Sequence, residues 1–232
     1  MEPLWLSQYP PGIPADIDIH EFASLTDVLL ASCQRFDDLP AYSNMGTSMS
    51  YAELERSSRH FAAYLQKSLG LRRGDRVALM MPNLLQYPVA LFGVLRAGMV
   101  VVNVNPQYTV PELEHQLLDS GAVAIVVLEN FAHTLQAVLQ RNLALSPIVI
   151  TTEVGDLLPL VRELLTNAVV KYVKHLVPPW KIAGAIEFNA ALRAGRGQAL
   201  DAVPLCHDDT AFLQYTGCLL YTSDAADERS SV

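Results

Sequence analysis

Cysteine is scarce and unpatterned in this sequence. Cys33, Cys206 and Cys218 lie far apart and are odd in number, which fits neither a disulfide framework nor a zinc-binding spacing. A reducing cytoplasm is the compartment this favours. Basic residues are in deficit, with 16 Lys and Arg against 24 Asp and Glu and a formal net charge of -8. Nonspecific nucleic-acid binding needs a basic surface, so no nucleic-acid partner is expected. Long apolar runs are missing as well. The most apolar stretch is broken by Pro82, Asn83, Gln86, Pro88 and Arg96, short of the roughly 20 residues a membrane-spanning helix requires. The opening MEPLWLSQYPPGIP has no basic start and no sustained apolar core, so no secretory signal is expected there.

What is present is the material of a core. The 232 residues are 51% hydrophobic and 17% charged, with a mean hydropathy of +0.22, which excludes disorder and allows one large domain or two small ones.

The most informative stretch is RVALMMPNLLQYPVALFGVLRAGMVVVNVNP, residues 76–106. Residues 77–81 form a short apolar run stopped by Pro82, which reads as a buried strand. Asn83 is expected to cap a helix over residues 84–97 that is apolar almost all round and therefore buried, with Pro88 in its first turn. Gly98 ends that helix, and residues 99–104 make a second, β-branched strand. Strand, helix and strand in about thirty residues predict a parallel βαβ unit.

The flanking chain continues the pattern. Residues 1–20 are rich in proline and are expected to lie extended over the surface. A helix from Ser24 places Leu25, Val28, Leu29 and Cys33 on one face, with Cys33 a core residue rather than a reactive thiol. Residues 40–50 read as a hairpin turning at 45–48. Ser50 and Glu53 form a capping box for a helix that runs to about Leu69 and buries Leu54, Phe61 and Leu65, and Gly70 ends it. Arg72, Arg73 and Asp75 read as a solvated turn, since no glycine-rich loop accompanies them. Thr109 and Glu112 make a second capping box, with Pro111 early in the helix and Leu113, Leu117 and Leu118 on its buried side. Strands at 122–128 and 147–151 flank a helix at 131–141 whose His133 is read as a surface residue. This alternation predicts an α/β fold with an open, mostly parallel sheet flanked by helices.

Between residues 157 and 182 aliphatic side chains mix with Lys171, Lys174, Lys181 and Trp180. Two readings stand: an interfacial helix seated in lipid headgroups, with those four residues as the membrane contact, or a helix packed on the domain with exposed lysines. A short helix at 188–193, a loop and a strand DTAFLQY then lead to Tyr215, Thr216 and Gly217.

The segments GLRRGDRVA, MMPNLLQYPVALFGVLRAG, VVVNVNPQYT, ELEHQLLDSGA and NFAHTL together resemble the N-terminal region of bacterial long-chain fatty acid–CoA ligases, of the adenylate-forming, AMP-binding family. The likeness covers most of residues 1–217, so these are expected to be the N-terminal part of the AMP-binding domain. In that family the strand resembling AFLQY leads into a loop beginning Tyr-Thr-Gly-Gly-Thr-Thr-Gly and ending near a lysine. Small residues there let amides and hydroxyls approach the ATP phosphates. Tyr215, Thr216 and Gly217 match its opening, and CLLYTSDAADERSSV after them does not. That tail resembles the translation of a sequencing adaptor, so residues 218–232 are expected to be non-native.

The resemblance implies ATP-dependent activation of a long-chain fatty acid to an acyl-adenylate, then transfer to coenzyme A, with magnesium screening the phosphates. The family's adenine, magnesium and acyl-tunnel residues lie beyond the matched part, so no catalytic residue and no metal ligand is carried onto this sequence. The segment alone is expected to be inactive. A homodimer is also suggested by some relatives, and the 157–182 segment, on its interfacial reading, implies a peripheral location at the inner face of the membrane. The alternatives are a ligase for shorter or aromatic acids, and a noncatalytic module for dimerisation or membrane contact.

Overall fold

The computed structural model describes residues 4–215. Residues 4–24 hold one 3-10 turn, Leu4–Gln8, and otherwise turns and irregular chain, mostly exposed. Helix α1 (Leu25–Arg35) starts at Ser24, whose hydroxyl accepts from the Asp27 amide at 3.2 Å. It buries Leu29 and Cys33, but Leu25 and Val28 are exposed, which narrows the expected apolar face. Burial raises the Cys33 thiol pKa, consistent with a core role.

Strands β1 (Pro40–Asn44) and β2 (Thr47–Ser50) pair antiparallel around Met45 and Gly46, at φ 49° and 72°. Both values are left-handed, as a two-residue hairpin turn requires. The Ser50 and Glu53 capping box then opens α2 (Tyr51–Lys67), which buries Leu54, Phe61 and Leu65. Its charged turn at Arg72 and Arg73 faces solvent, and Arg73 forms an ion pair with Asp209.

The βαβ unit forms as expected. β3 (Arg76–Met80) and β4 (Val100–Asn103) run parallel and are directly paired, Val77 opposite Val101. Helix α3 (Gln86–Arg96) joins them and is mostly buried. The expected Asn83 cap is overturned: the helix starts at Leu85 without a side-chain cap, and the Asn83 carbonyl instead accepts from Asn44 Nδ2 at 3.2 Å. The two residues after Pro82 are spent on a turn that ties the hairpin to the sheet. At the other end of α3 the buried Arg96 reaches α2, donating to Glu55 Oε1 at 2.8 Å and Ser58 Oγ at 3.0 Å. The guanidinium is thereby paired rather than left as an uncompensated buried charge.

Helix α4 (Val110–Ser120) opens with the Thr109 and Glu112 box and ends at Gly121, φ 58°. It buries Leu113 and Leu117, whereas Leu118 points to solvent, a correction to the expected buried side. β5 (Ala124–Leu128), α5 (Ala132–Arg141) and β6 (Ile148–Thr152) follow, with His133 exposed. The 157–182 segment is not one long helix. α6 (Leu160–Ala168) spans nine residues and passes into a π turn, Val169–Val173, and then irregular chain. A two-residue strand that periodicity did not indicate, β7 (Ile186–Glu187), precedes α7 (Phe188–Gly195) and β8 (Phe212–Gln214).

The main sheet has order β7-β6-β5-β3-β4-β8, and every pairing in it is parallel. Parallel strands of this kind need cover on both faces. Val77, Leu79, Val101, Val126 and Ile150 form one core with α2, α3 and α7, and Phe61 meets Phe188 there at 5.0 Å between ring centroids. Ala78, Met80, Val102, Ile125 and Val127 form the other with α4 and α5.

Helix α7 crosses α2 closely enough that a Cβ at Gly195 would collide with the His60 carbonyl oxygen, whereas one at Gly197 meets nothing within 4 Å. Gly195→Ala should destabilise the fold by about 1–3 kcal/mol through forced separation of the two helices, and Gly197→Ala should change little. Denaturant unfolding of the two variants side by side checks this; equal midpoints would show that α7 can shift at no cost.

Candidate functional site

In an open parallel sheet, ligands bind beyond the carboxyl ends of the strands, where the strand order reverses. Here the order turns at β3, which lies between β4 and β5. The residues leaving the carboxyl ends are Met81 to Asn83 after β3, Val104 and Asn105 after β4, Glu129 after β5, Glu153 after β6 and Tyr215 after β8. Of the three expected phosphate-loop residues, Tyr215 stands at this end of the sheet; Thr216 and Gly217 lie outside the described residues, as does the 218–232 tail.

Around β8 the polar groups are connected. Asn103 and Gln214 sit opposite each other in the β4–β8 register, and Asn103 Nδ2 donates to Gln214 Oε1 at 2.9 Å. Tyr87 of α3 donates its hydroxyl hydrogen to Asn103 Oδ1 at 2.9 Å, and Gln116 of α4 donates to the Asn103 carbonyl at 2.8 Å. Tyr215 donates to Asp119 Oδ2 of α4 at 2.5 Å. Burial and the adjacent Asp119 carboxylate push the Tyr215 phenol up to about 12, so it stays a donor.

Sequence reasoning reached Tyr215 but not Asn103, Gln214 or Asp119. A polar Asn ending the run Val100 to Val102 was the available signal for Asn103. Asp119 has none, since it is 96 positions from Tyr215 and reads as an ordinary residue of a solvated helix face.

Two cavities accompany the sheet. One of about 400 Å³ lies between the hairpin and α3, lined by Tyr42, Asn44, Asn83, Leu84, Tyr87 and Phe92, on the carboxyl side. A larger one, about 1000 Å³, is lined by α1 residues together with Arg73, Gly98, Met99, Cys206 and Asp209. It opens at the amino ends of β3 and β4, away from Tyr215, so size does not make it the active site.

The four residues expected to contact membrane are not equivalent. Lys174 and Lys181 are exposed and Trp180 is half-buried. Lys171 turns inward to Glu129 Oε2 at 3.3 Å and Glu153 Oε1 at 3.8 Å. This ties the π turn to the carboxyl ends of β5 and β6. Beside it, Asp156 accepts from the Thr152 hydroxyl at 2.8 Å and the Glu153 amide at 2.9 Å. Among the described residues, no group of three or more His, Cys, Asp or Glu side chains could hold a metal ion.

Glu153 titrates at about 7, raised by burial first and then by the charges of Glu129 and Asp156, against the opposing pull of Lys171. A carboxyl whose folded pKa is raised binds protons more tightly in the folded state. Its ionisation therefore costs stability as pH rises from its ordinary 4.5 to about 7. Glu153→Gln should flatten that part of the stability–pH curve and leave the variant more stable than the parent above about pH 8. Unfolding midpoints across that range check it; parallel curves for the two proteins would contradict the assignment.

The AMP-binding enzyme family matches residues 29–218 of the chain. The long-chain-fatty-acid–CoA ligase of Yersinia pestis is 54% identical over 217 residues, 94% of this chain and 38% of that protein. Its namesake in Haemophilus influenzae is 50% identical over the same shares, and that of Bacillus subtilis is 33% identical over 92% of this chain and 37% of its own. The chain thus spans about 38% of the length of such relatives. Among solved structures, an anthranilate CoA ligase bound to anthranoyl-AMP superposes with a TM-score of 0.63 at 19% identity, over 83% of this chain and 31% of that one. A benzoate CoA ligase from Burkholderia xenovorans superposes with a TM-score of 0.62 at 23% identity, over 82% and 32%. With the family model matching residues 29–218, most of its length, the chain belongs to the AMP-binding enzyme family.

Proposed function

We propose that this chain is the N-terminal part of the AMP-binding domain of a long-chain fatty acid–CoA ligase. The observation that carries the reading is the 54% identity to a ligase of that name across 217 residues. In the reaction, a fatty-acid carboxylate attacks the α-phosphate of ATP, pyrophosphate leaves, and the thiol of coenzyme A displaces AMP from the acyl-adenylate. Adenylation is needed because a carboxylate oxygen is a poor leaving group for a thiol to displace. The described residues supply a scaffold for this: a parallel sheet whose strand β8 delivers Tyr215 to the end of the sheet suited to phosphate. Magnesium would screen the ATP phosphates during the attack. Residues 218–232 are read as non-native, the homodimer rests on resemblance, and the cytoplasmic location rests on the scarce, unpatterned cysteines.

A chimera tests the reading. Residues 1–217 of this chain, placed in the Yersinia pestis relative instead of its matching segment, should support formation of AMP and acyl-CoA from ATP, coenzyme A and a long-chain acid. A folded chimera that releases no AMP with any acid would refute it, and one that prefers benzoate would favour the aromatic-acid alternative.

A lipid contact is the second part of the proposal. Leu160, Val161, Leu164 and Leu165 of α6, with Tyr172 and Val173 beyond it, are exposed, and Lys174 and Lys181 flank them. Apolar side chains bordered by cations suit an anionic membrane surface. The chimera should float with anionic lipid vesicles, and Leu164→Ser with Leu165→Ser, or Lys174→Glu with Lys181→Glu, should each reduce flotation. Equal flotation of all three proteins would remove α6 from the membrane.

A further inference from the structure

Strand β8 is short and lies at the edge of the sheet, with β4 as its partner among the described residues. A strand of three residues, held among the described residues by one ladder to β4, should fray readily. A loop that must approach phosphates cannot tolerate such uncertainty at its base, since misplacement by about 1 Å costs catalysis heavily. The side chains at its end answer this directly. Successive residues of a strand point to opposite faces. Phe212 packs with the α2 and α3 core, while Leu213 and Tyr215 pack with the α4 and α5 core. Gln214 and Tyr215 therefore leave on opposite sides, Gln214 held by Asn103 of β4 and Tyr215 by Asp119 of α4.

On the first side, Tyr87 of α3 orients the Asn103 amide, which donates to Gln214. On the second, Asp119 of α4 accepts from Tyr215. Gln116, from the same helix, fixes the Asn103 carbonyl, so α4 braces both strands. We propose that Asp119, and the Tyr87 and Asn103 pair, are positioning residues that clamp Gln214 and Tyr215 from the two faces of the sheet and so set where the phosphate loop begins. This rests on the ligase reading for its catalytic consequence, but not for its structural one.

The chimera described above is the test system, with two readouts. Kinetically, Asp119→Ala should raise KM for ATP about 2- to 10-fold, the loss of one modest hydrogen bond. KM for the fatty acid and the unfolding midpoint should stay unchanged. Asp119→Asn, which keeps an acceptor, should fall between. Tyr215→Phe should match Asp119→Ala, and the double variant should be no worse than either, because both remove one interaction. A KM for ATP that does not move, additive effects, or equal losses for both substrates would overturn the proposal. Independently of activity, Asp119→Ala and Asn103→Ala should each speed amide hydrogen exchange in residues 212–217 while α5 is unaffected. Unchanged exchange there overturns the clamp. If the unmutated chimera releases no AMP, the ligase reading fails by itself, and the exchange measurement still decides whether the clamp exists.

Discussion

The constraint on which the structure depends is that its central strands are parallel and adjacent. Such strands cannot turn back on one another; each must be reached by a crossover, and the crossovers must shield both faces of the sheet from water. β5 is buried at all five positions and β3 at four of five. Helices α2, α3 and α7 supply one cover, α4 and α5 the other. Once both faces are closed, only the ends of the strands remain free to meet a ligand. The polar groups of interest gather at one of them, from Asn83 and Asn103 to Gln214 and Tyr215. The Arg96 guanidinium locks α3 against α2 below them, so the scaffold under the loop is fixed by a paired charge as well as by apolar packing.

Most of this scaffold was legible in the residues. The βαβ unit of 76–106 is announced by Pro82, Pro88, Gly98 and Pro106 punctuating runs of opposite periodicity, and both capping boxes appear as read. Local rules failed where a distant partner outbid them. Asn83 had the chemistry of a cap, yet its backbone is used to hold the hairpin through Asn44. Leu118 satisfied the helical period of α4, but the stripe facing the sheet is filled by Leu113 and Leu117, leaving Leu118 outside. The 157–182 segment read as one helix, yet a π turn follows α6, and Lys171 there bonds inward to carboxylates that the sequence places 42 and 18 positions away.

The candidate site was legible in part, for the same reason. Tyr215 was found because residues 215–217 resemble the start of a known loop. Its partner Asp119 and the Asn103–Gln214 pair could not be found that way, since their proximity is created by the order of the strands, and neither composition nor spacing encodes it. The lysines at 171, 174 and 181 show the limit of composition as a guide to surfaces: three like charges in one segment have two different roles.

The most direct test of the central claim is the nucleotide sequence of the source gene across the codon for Gly217. The account predicts that the reading frame continues into Gly-Thr-Thr-Gly and a lysine, completing the phosphate loop whose base is held by β8. A frame that instead encodes CLLYTSDAADERSSV followed by a stop codon would contradict it. The clamped strand would then present no such loop, and adenylation by this chain would have to be abandoned.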